Sequence, residues 1–429
     1  MSAPHHVRHE VAALARLAVP LIFARLGQTL LYVVDTVVAG SISPQAVAAL
    51  GSIGAAYLVV FSAAFGVLLG LDPLVSNAVG RGDPAEARAG LATARRIALV
   101  LAVLVASAVL ALPTVLRLFN QPEEVVVLLE GYVPFLAAMA FPALLFHVDA
   151  TFLTAHGHTR PLIGIVVVAN ATNLVLDLWL AHGGVGVPAL GVAGIGAASL
   201  GCALAEFGAM RWVLRRTGAF GGLAHDLPPF DRPVARRILR TGGPVGFQYG
   251  LETSGFLVVT LLVGLKGTTA LAGHQIAMNF AGIVFAIALG LGGAAGVRVG
   301  QARGRRDRVA LRLSGACGFG LGAGAGLAFA VLAWFGRDAI AALYADDPVT
   351  AAMAARFLAV AAVWQVADAT QASGFGILRG LDDTRVPVTF NLVAYAGVGL
   401  PFGYWLAFVA SDDPVGLWWG LSLSLAAHQ

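Results

Sequence analysis

Of the 429 residues, 58% are hydrophobic and only 12% are charged, and the mean hydropathy is +0.83, whereas an ordinary soluble domain carries about 25% charge. This excludes a soluble globular domain and points to a polytopic membrane protein. The formal net charge of +4 comes from arginines between apolar runs, so the segment GQARGRRDR reads as a topology signal and a contact for anionic lipid, not as a nucleic-acid site.

The opening MSAPHHVRHE is polar and feeds straight into the first apolar run, so no cleavable signal peptide is expected. Crossing a ~30 Å hydrocarbon layer takes about 20 residues of helix. Runs of that length cover 11–39, 46–71, 91–116, 132–154, 161–180, 190–214, 238–265, 269–297, 311–334, 351–378 and 387–410. A twelfth, 415–427, reaches only about 20 Å at ~1.5 Å per residue, which suits a half-crossing or a truncated helix. The strands of outer-membrane barrels are about ten residues of alternating polarity. These runs are longer and apolar throughout, so the spans are helices. Cys202 and Cys317 both fall inside spans, which argues against a disulfide framework or a metal cluster.

Arginine placement sets the orientation. With the N-terminus cytoplasmic, the cytoplasmic segments hold Arg8, Arg81, Arg88, Arg95, Arg96, Arg160, the clusters at 211–240 and 298–312, Arg379 and Arg385. The opposite side has only Arg117, Lys266, Arg337 and Arg356, as the positive-inside rule requires.

The chain also repeats itself. A shift of 224 residues pairs Pro20 with Pro244, Phe23 with Phe247, Gly40 with Gly264, Gly66 with Gly290, Gly80-Arg81 with Gly304-Arg305, Asp83 with Asp307 and Arg88 with Arg312. A shift of 225 pairs Thr159-Arg160 with Thr384-Arg385. Apolar helices alike by chance would not keep their loop arginines in register. The expected division is an N-terminal six-helix bundle at 1–215, a cytoplasmic linker rich in Gly, Pro and charge at 216–237, and a C-terminal bundle at 238–429 whose last helix is short. An even number of helices per half makes the two bundles parallel repeats about an axis along the membrane normal, with a cleft between them that suits alternating access.

Polar residues inside the spans mark where such a cleft would work. Helix 1 carries Asp35, with Gln28 two turns earlier on the same face. Helix 5 carries Asn170, Asn173 and Asp177, spaced i, i+3, i+7 as one polar stripe. In the second half Glu252 occupies the repeat position of Gln28, and Asn279 and Asp368 lie in helices 8 and 10. An amide in a membrane helix commonly serves as interhelical glue, the commoner role for Gln28 and Asn170. A carboxylate there is expensive. With no obvious basic residue at matching depth, Asp35, Asp177, Glu252 and Asp368 are expected to hold a proton or bind a cation. Arg25 lies about 15 Å along helix 1 from Asp35 and is expected to snorkel outward. His147 and Asp149 read as structural, and Asp72, before a proline near the end of helix 2, as a cap or loop contact.

The glycine-rich ALGLGGAAG and GACGFGLGAGAG read as faces for close helix approach. Trp179, Trp212, Trp334, Tyr344, Trp418 and Trp419 read as interfacial belts. No phosphate-cradling G-x-x-x-x-G-K-[ST] loop is present, so energy from ATP is not indicated. The histidines His5, His6, His9, His156 and His158 cluster at ends and loops, with no nucleophile and base set, so an enzyme is not expected.

These residues resemble the multidrug and toxic compound extrusion (MATE) transporters, NorM-type branch. The resemblance rests on PLIFARLGQTLLYVVDTVVAG, VGRGD, GHTRP, GGPVGFQYGLETSGF, AGHQIAMNF and VADATQASGFGILRGLDDTRVP, and it covers essentially the whole chain. It implies an all-α fold of about twelve transmembrane helices in two pseudo-symmetric six-helix bundles around a central cleft. It also implies sodium- or proton-coupled antiport of organic, often cationic, drugs out of the cell, with no other cofactor. By motif position, Glu252, Asn279 and Asp368 resemble the family's C-lobe cation site, with Na⁺ at Glu252 and Asp368 as one occupant. Asp35, Asn173 and Asp177 resemble its N-lobe acid cluster, with Gln28 and Asn170 as accessories. The implied setting is a bacterial cytoplasmic (inner) membrane, as a monomer among lipids, handling small organic cations and no nucleic acid. A lipid-linked precursor flippase of the same superfold is the alternative, and it would need a basic cleft lining that these spans lack.

Overall fold

The computed structural model describes residues 3–118, 123–184, 186–216, 228–384, 389 and 393–426. They fold into α1 (Ala3–Ile42), α2 (Pro44–Leu68), α3 (Leu71–Arg81), α4 (Pro84–Leu118), α5 (Glu123–Ala155), α6 (Arg160–His182), α7 (Val192–Arg216), α8 (Arg232–Gly264), α9 (Thr268–Gly304), α10 (Arg308–Tyr344), α11 (Pro348–Gly380), α12 (Val393–Ala410, with π-helical turns at both ends) and α13 (Gly416–Ala426). Among the described residues eleven helical spans, α2 and α3 counting as one, are long and apolar enough to cross a membrane. They coincide with the eleven apolar runs, and α13 is short, as the sequence leads one to expect. Most of the expected linker, 217–227, lies outside the described residues, as do Arg385 and most of the first residues of the 387–410 run.

Helix starts follow local chemistry. The Ser43 hydroxyl accepts from the Ala46 amide at 3.1 Å, and proline occupies the first turn of α2, α6 and α11, where a missing N–H costs nothing. Asp307 and Asp347 cap α10 and α11 in the same way. Hydrogen bonds from the Thr350 hydroxyl and from the Thr350 and Val349 amides hold the exposed Asp347 carboxyl below its ordinary range. Asp72 sits in the first turn of α3, where negative charge suits the helix N-terminus.

The chain divides into two compact units, Phe23–Gly246 and Met1–Ile22 with Phe247–Gln429. The boundaries fall inside α1 and α8 and obey the repeat, since 22 + 224 = 246. Within the N-terminal unit the middle of α8 lies backbone to backbone on α2: a Cβ at Gly66 would stand 2.9 Å from the Val245 carbonyl, and one at Gly246 would stand 2.6 Å from that of Ala63. Within the C-terminal unit the equivalent pair is Gly290 and Ile22, where a Cβ would come within 3.0 Å of the Ile22 nitrogen. Each unit thus takes its leading helix segment from the other copy of the repeat.

The glycine-rich stretches pack as expected. A Cβ at Gly296 on α9 would lie 2.6 Å from the Gly376 carbonyl on α11, and one at Gly326 on α10 would lie 2.8 Å from that of Gln365. Three expectations need correction. Trp418 is not interfacial: it is 1% exposed and donates its indole N–H to His274 Nδ1 at 2.9 Å. Arg95 is not a loop arginine: it is buried three turns inside α4 and donates to Asp149 at 2.6 and 2.7 Å. Arg25 does not simply reach outward: its guanidinium lies 4.5 Å over the Phe65 ring and donates to Gln28 at 3.4 Å.

Candidate functional site

The N-terminal unit gathers its acids where α1, α6 and α7 meet. On α6 the i, i+4 spacing turns Asn173 and Asp177 to the buried face, 1% and 0% exposed. Asp35 from α1 is buried beside them; its Oδ1 accepts from the Asn173 amide at 3.3 Å and its Oδ2 from the Ser199 hydroxyl on α7 at 2.9 Å. Asp177 is near enough for each carboxyl to feel the other's charge, yet neither of its oxygens has a donor in hydrogen-bond geometry. Among the described residues no ion pair reaches Asp35 or Asp177. Tyr132 on α5, also buried, stands within electrostatic reach of both. Two carboxyls packed together in a low-dielectric interior, with few donors and no fixed cation, need a proton or a cation to persist.

The accessory residues divide. Gln28 accepts from Arg25 and sits 3.4 Å from His147 Nε2, bridging α1 and α5. That is interhelical glue. Asn170 donates to its own helix at the Val166 carbonyl, 2.9 Å away, and its Oδ1 is buried without a donor. Asp149, paired with Arg95, is structural, as expected.

In the C-terminal unit, Glu252 on α8 accepts from Gln248 at 3.1 Å. Asp368 on α11 is close enough to feel its charge, and among the described residues makes no hydrogen bond or ion pair of its own. Tyr395 on α12, 3% exposed, is within electrostatic reach of both acids, and the Phe256 and Trp364 rings meet at a tilt with centroids 6.1 Å apart. Carboxyl oxygens are the ligands a hard cation takes. Asn279 is exposed on α9 and, among the described residues, makes no side-chain hydrogen bond.

Three residues were missed by sequence reasoning. Ser199 and Tyr132 are ordinary residues in apolar runs and gave no signal. Glu206, a lone acid in CALAEFGAM, did give one: it is 9% exposed on α7, and its Oε1 is buried without a partner. Among the described residues no group of three or more His, Cys, Asp or Glu gathers as a metal cluster.

Among the described residues, eleven membrane-length helices in two repeated units, each with acids inside its spans, define an integral membrane protein built by duplication. The MatE family model matches residues 20–179 and 244–405, one match per repeat, and the chain belongs to this family, that of the multidrug and toxic compound extrusion transporters. It is 36% identical to the multidrug resistance protein NorM of Burkholderia vietnamiensis, over 99% of this chain and 93% of that protein. It is 34% identical to a probable multidrug resistance protein NorM of Pseudomonas aeruginosa, over 99% and 88%. In fold it is similar to the eukaryotic MATE transporter AtDTX14, with a TM-score of 0.88 at 18% identity over 98% of this chain and 94% of that one. It is likewise similar to a MOP superfamily transporter from Pyrococcus furiosus, with a TM-score of 0.86 at 19% identity over 98% and 93%.

Proposed function

We propose that the protein is a cation-coupled antiporter that exports organic, often cationic, compounds by alternating access, with sodium or protons as the driving ion. The observation that carries the reading is the pair Asp35 and Asp177, buried together, with Asn173 and Ser199 donating to Asp35 and, among the described residues, no ion pair to either acid. The pair Glu252 and Asp368 supports it from the second copy of the repeat. A cation arriving from one side neutralises these carboxyls and thereby competes with a bound organic cation for the same negative charge. Coupling follows, because a ligand shifts a conformational equilibrium only by its differential affinity for the two states.

In this reading the working residues are Asp35, Asn173 and Asp177 in one unit and Glu252, Asn279 and Asp368, with Na⁺ at Glu252 and Asp368 as one occupant, in the other. The names of the NorM relatives support the substrate class, small organic drugs. The arginine bias supports a cytoplasmic N-terminus in a bacterial inner membrane. We further propose the functional division into bundles at 1–215 and 238–429 joined by a cytoplasmic linker, working as a monomer.

The direct test is binding. Purified protein should bind the fluorescent cation ethidium, and added sodium or low pH should displace it. Displacement should vanish in Asp35→Asn together with Asp368→Asn. Binding in wild type that neither ion disturbs would refute the coupling.

A further inference from the structure

Resting on that reading, we propose that Glu206 is a third cation-handling carboxyl of the N-terminal unit. It holds a proton that it exchanges, through intervening water, with the pair Asp35 and Asp177. Ser199, Cys202 and Glu206 are spaced i, i+3, i+7 and so line one face of α7. Ser199 donates to Asp35, and the Cys202 thiol donates to the Ala169 carbonyl on α6 at 2.9 Å. Ala169, Asn173 and Asp177 in turn form the buried face of α6. Glu206 therefore continues the same seam beyond the acid pair, about 10 Å along the axis from Ser199. It lies toward the end of α7 that carries Arg211, Arg215 and Arg216.

The groups around it favour a proton over a fixed partner. Cys202 on its own helix lies within electrostatic reach of Glu206, Asp177 and Asp35 alike, so the thiol stands between them. Tyr132 on α5 belongs to the acid pair at the far end of the seam. Arg211, five residues on, lies more than a quarter-turn away round α7 and is in the field of Arg95 and Asp149 instead. Among the described residues Glu206 makes no hydrogen bond and no ion pair, and it is nine-tenths buried. A carboxylate stranded in that way costs several kcal/mol. A buried acid without a structural partner is useful only if its charge changes. In the transfer the carboxylic acid of Glu206 gives a proton to water, and that water gives one to Asp177 or Asp35; the reverse step restores it.

The test uses the purified full chain with ethidium as the probe, measuring protons released per bound cation and the infrared difference spectrum on binding. Wild type should release protons and lose carboxylic-acid carbonyl bands. Glu206→Gln should fold, lose one of those bands, and release fewer protons with an altered pH profile. Glu206→Asp should restore a band at shifted frequency. If Glu206→Gln misfolds, Glu206→Asp alone decides, by whether one band moves. Unchanged bands and unchanged proton release in a folded variant would overturn the role of Glu206 while leaving the antiport reading intact. Ethidium binding to wild type without any proton release would overturn both the role and proton coupling.

Discussion

Replacing Arg95 by methionine tests the packing of the N-terminal unit most sharply. Its guanidinium is side-chain 10% exposed, and the Asp149 carboxylate it holds is 0% exposed, with Oδ2 already lacking a second donor. Removing one partner of a buried pair typically costs about 3–5 kcal/mol, because the remaining charge is left uncompensated. For a unit of this size, 1 kcal/mol moves the melting temperature by about 2–4 °C, so Arg95→Met should lower it by roughly 6–20 °C. Replacing both partners, Arg95→Met with Asp149→Leu, should recover most of that loss, since apolar substitutes of similar volume are commonly neutral or stabilising. The assay is thermal unfolding of detergent-purified single and double variants, followed by size-exclusion fluorescence. A single variant within about 1 °C of wild type, or a double variant less stable than either single, would refute the argument that the pair is a closed structural unit.

Other outcomes follow from the same geometry. Gly296→Leu should push α9 off α11, because even a Cβ there would stand 2.6 Å from the Gly376 carbonyl, and yield little folded protein on purification. Trp418→Phe strips the buried His274 Nδ1 of its donor and should cost about 1–3 kcal/mol, read as a lower melting temperature at unchanged expression. The capping carboxyl of Asp347 is held below its ordinary range, so its cap is intact at neutral pH and is lost as pH falls through that lowered value. Hydrogen exchange at Val349 and Thr350, corrected for intrinsic rate, should show α11 fraying there in wild type and no such acid limb in Asp347→Asn.

The spans, the duplication and the four principal acids were legible because each rests on a strong local cost: twenty apolar residues, loop arginines in register, a carboxylate in oil. Arg95 and Glu10 were not, for different reasons. Arg95 lies near the start of the 91–116 run, where an arginine reads as a cytoplasmic-side charge, and only the fold shows it turned inward onto Asp149. Glu10 precedes the 11–39 run, but α1 begins at Ala3, so Glu10 lies inside the fold on Arg298 at 2.5 Å and Ser314 at 2.7 Å. Trp418 near a chain end reads as a belt residue until α13 folds back against His274. The exposure of Asn279 and the burial of Glu206 depend on which face of a nearly all-apolar helix turns inward, and hydropathy gives such a helix no face.

The most direct test of the account is transport by reconstituted protein under an imposed gradient. Proteoliposomes given an inward sodium or proton gradient, each in turn, should drive ethidium against its own gradient with wild type. Asp35→Asn and Asp368→Asn, inserted to the same level, should not. Uphill ethidium movement by those variants at the wild-type rate would contradict the claim that buried carboxyls couple the two fluxes.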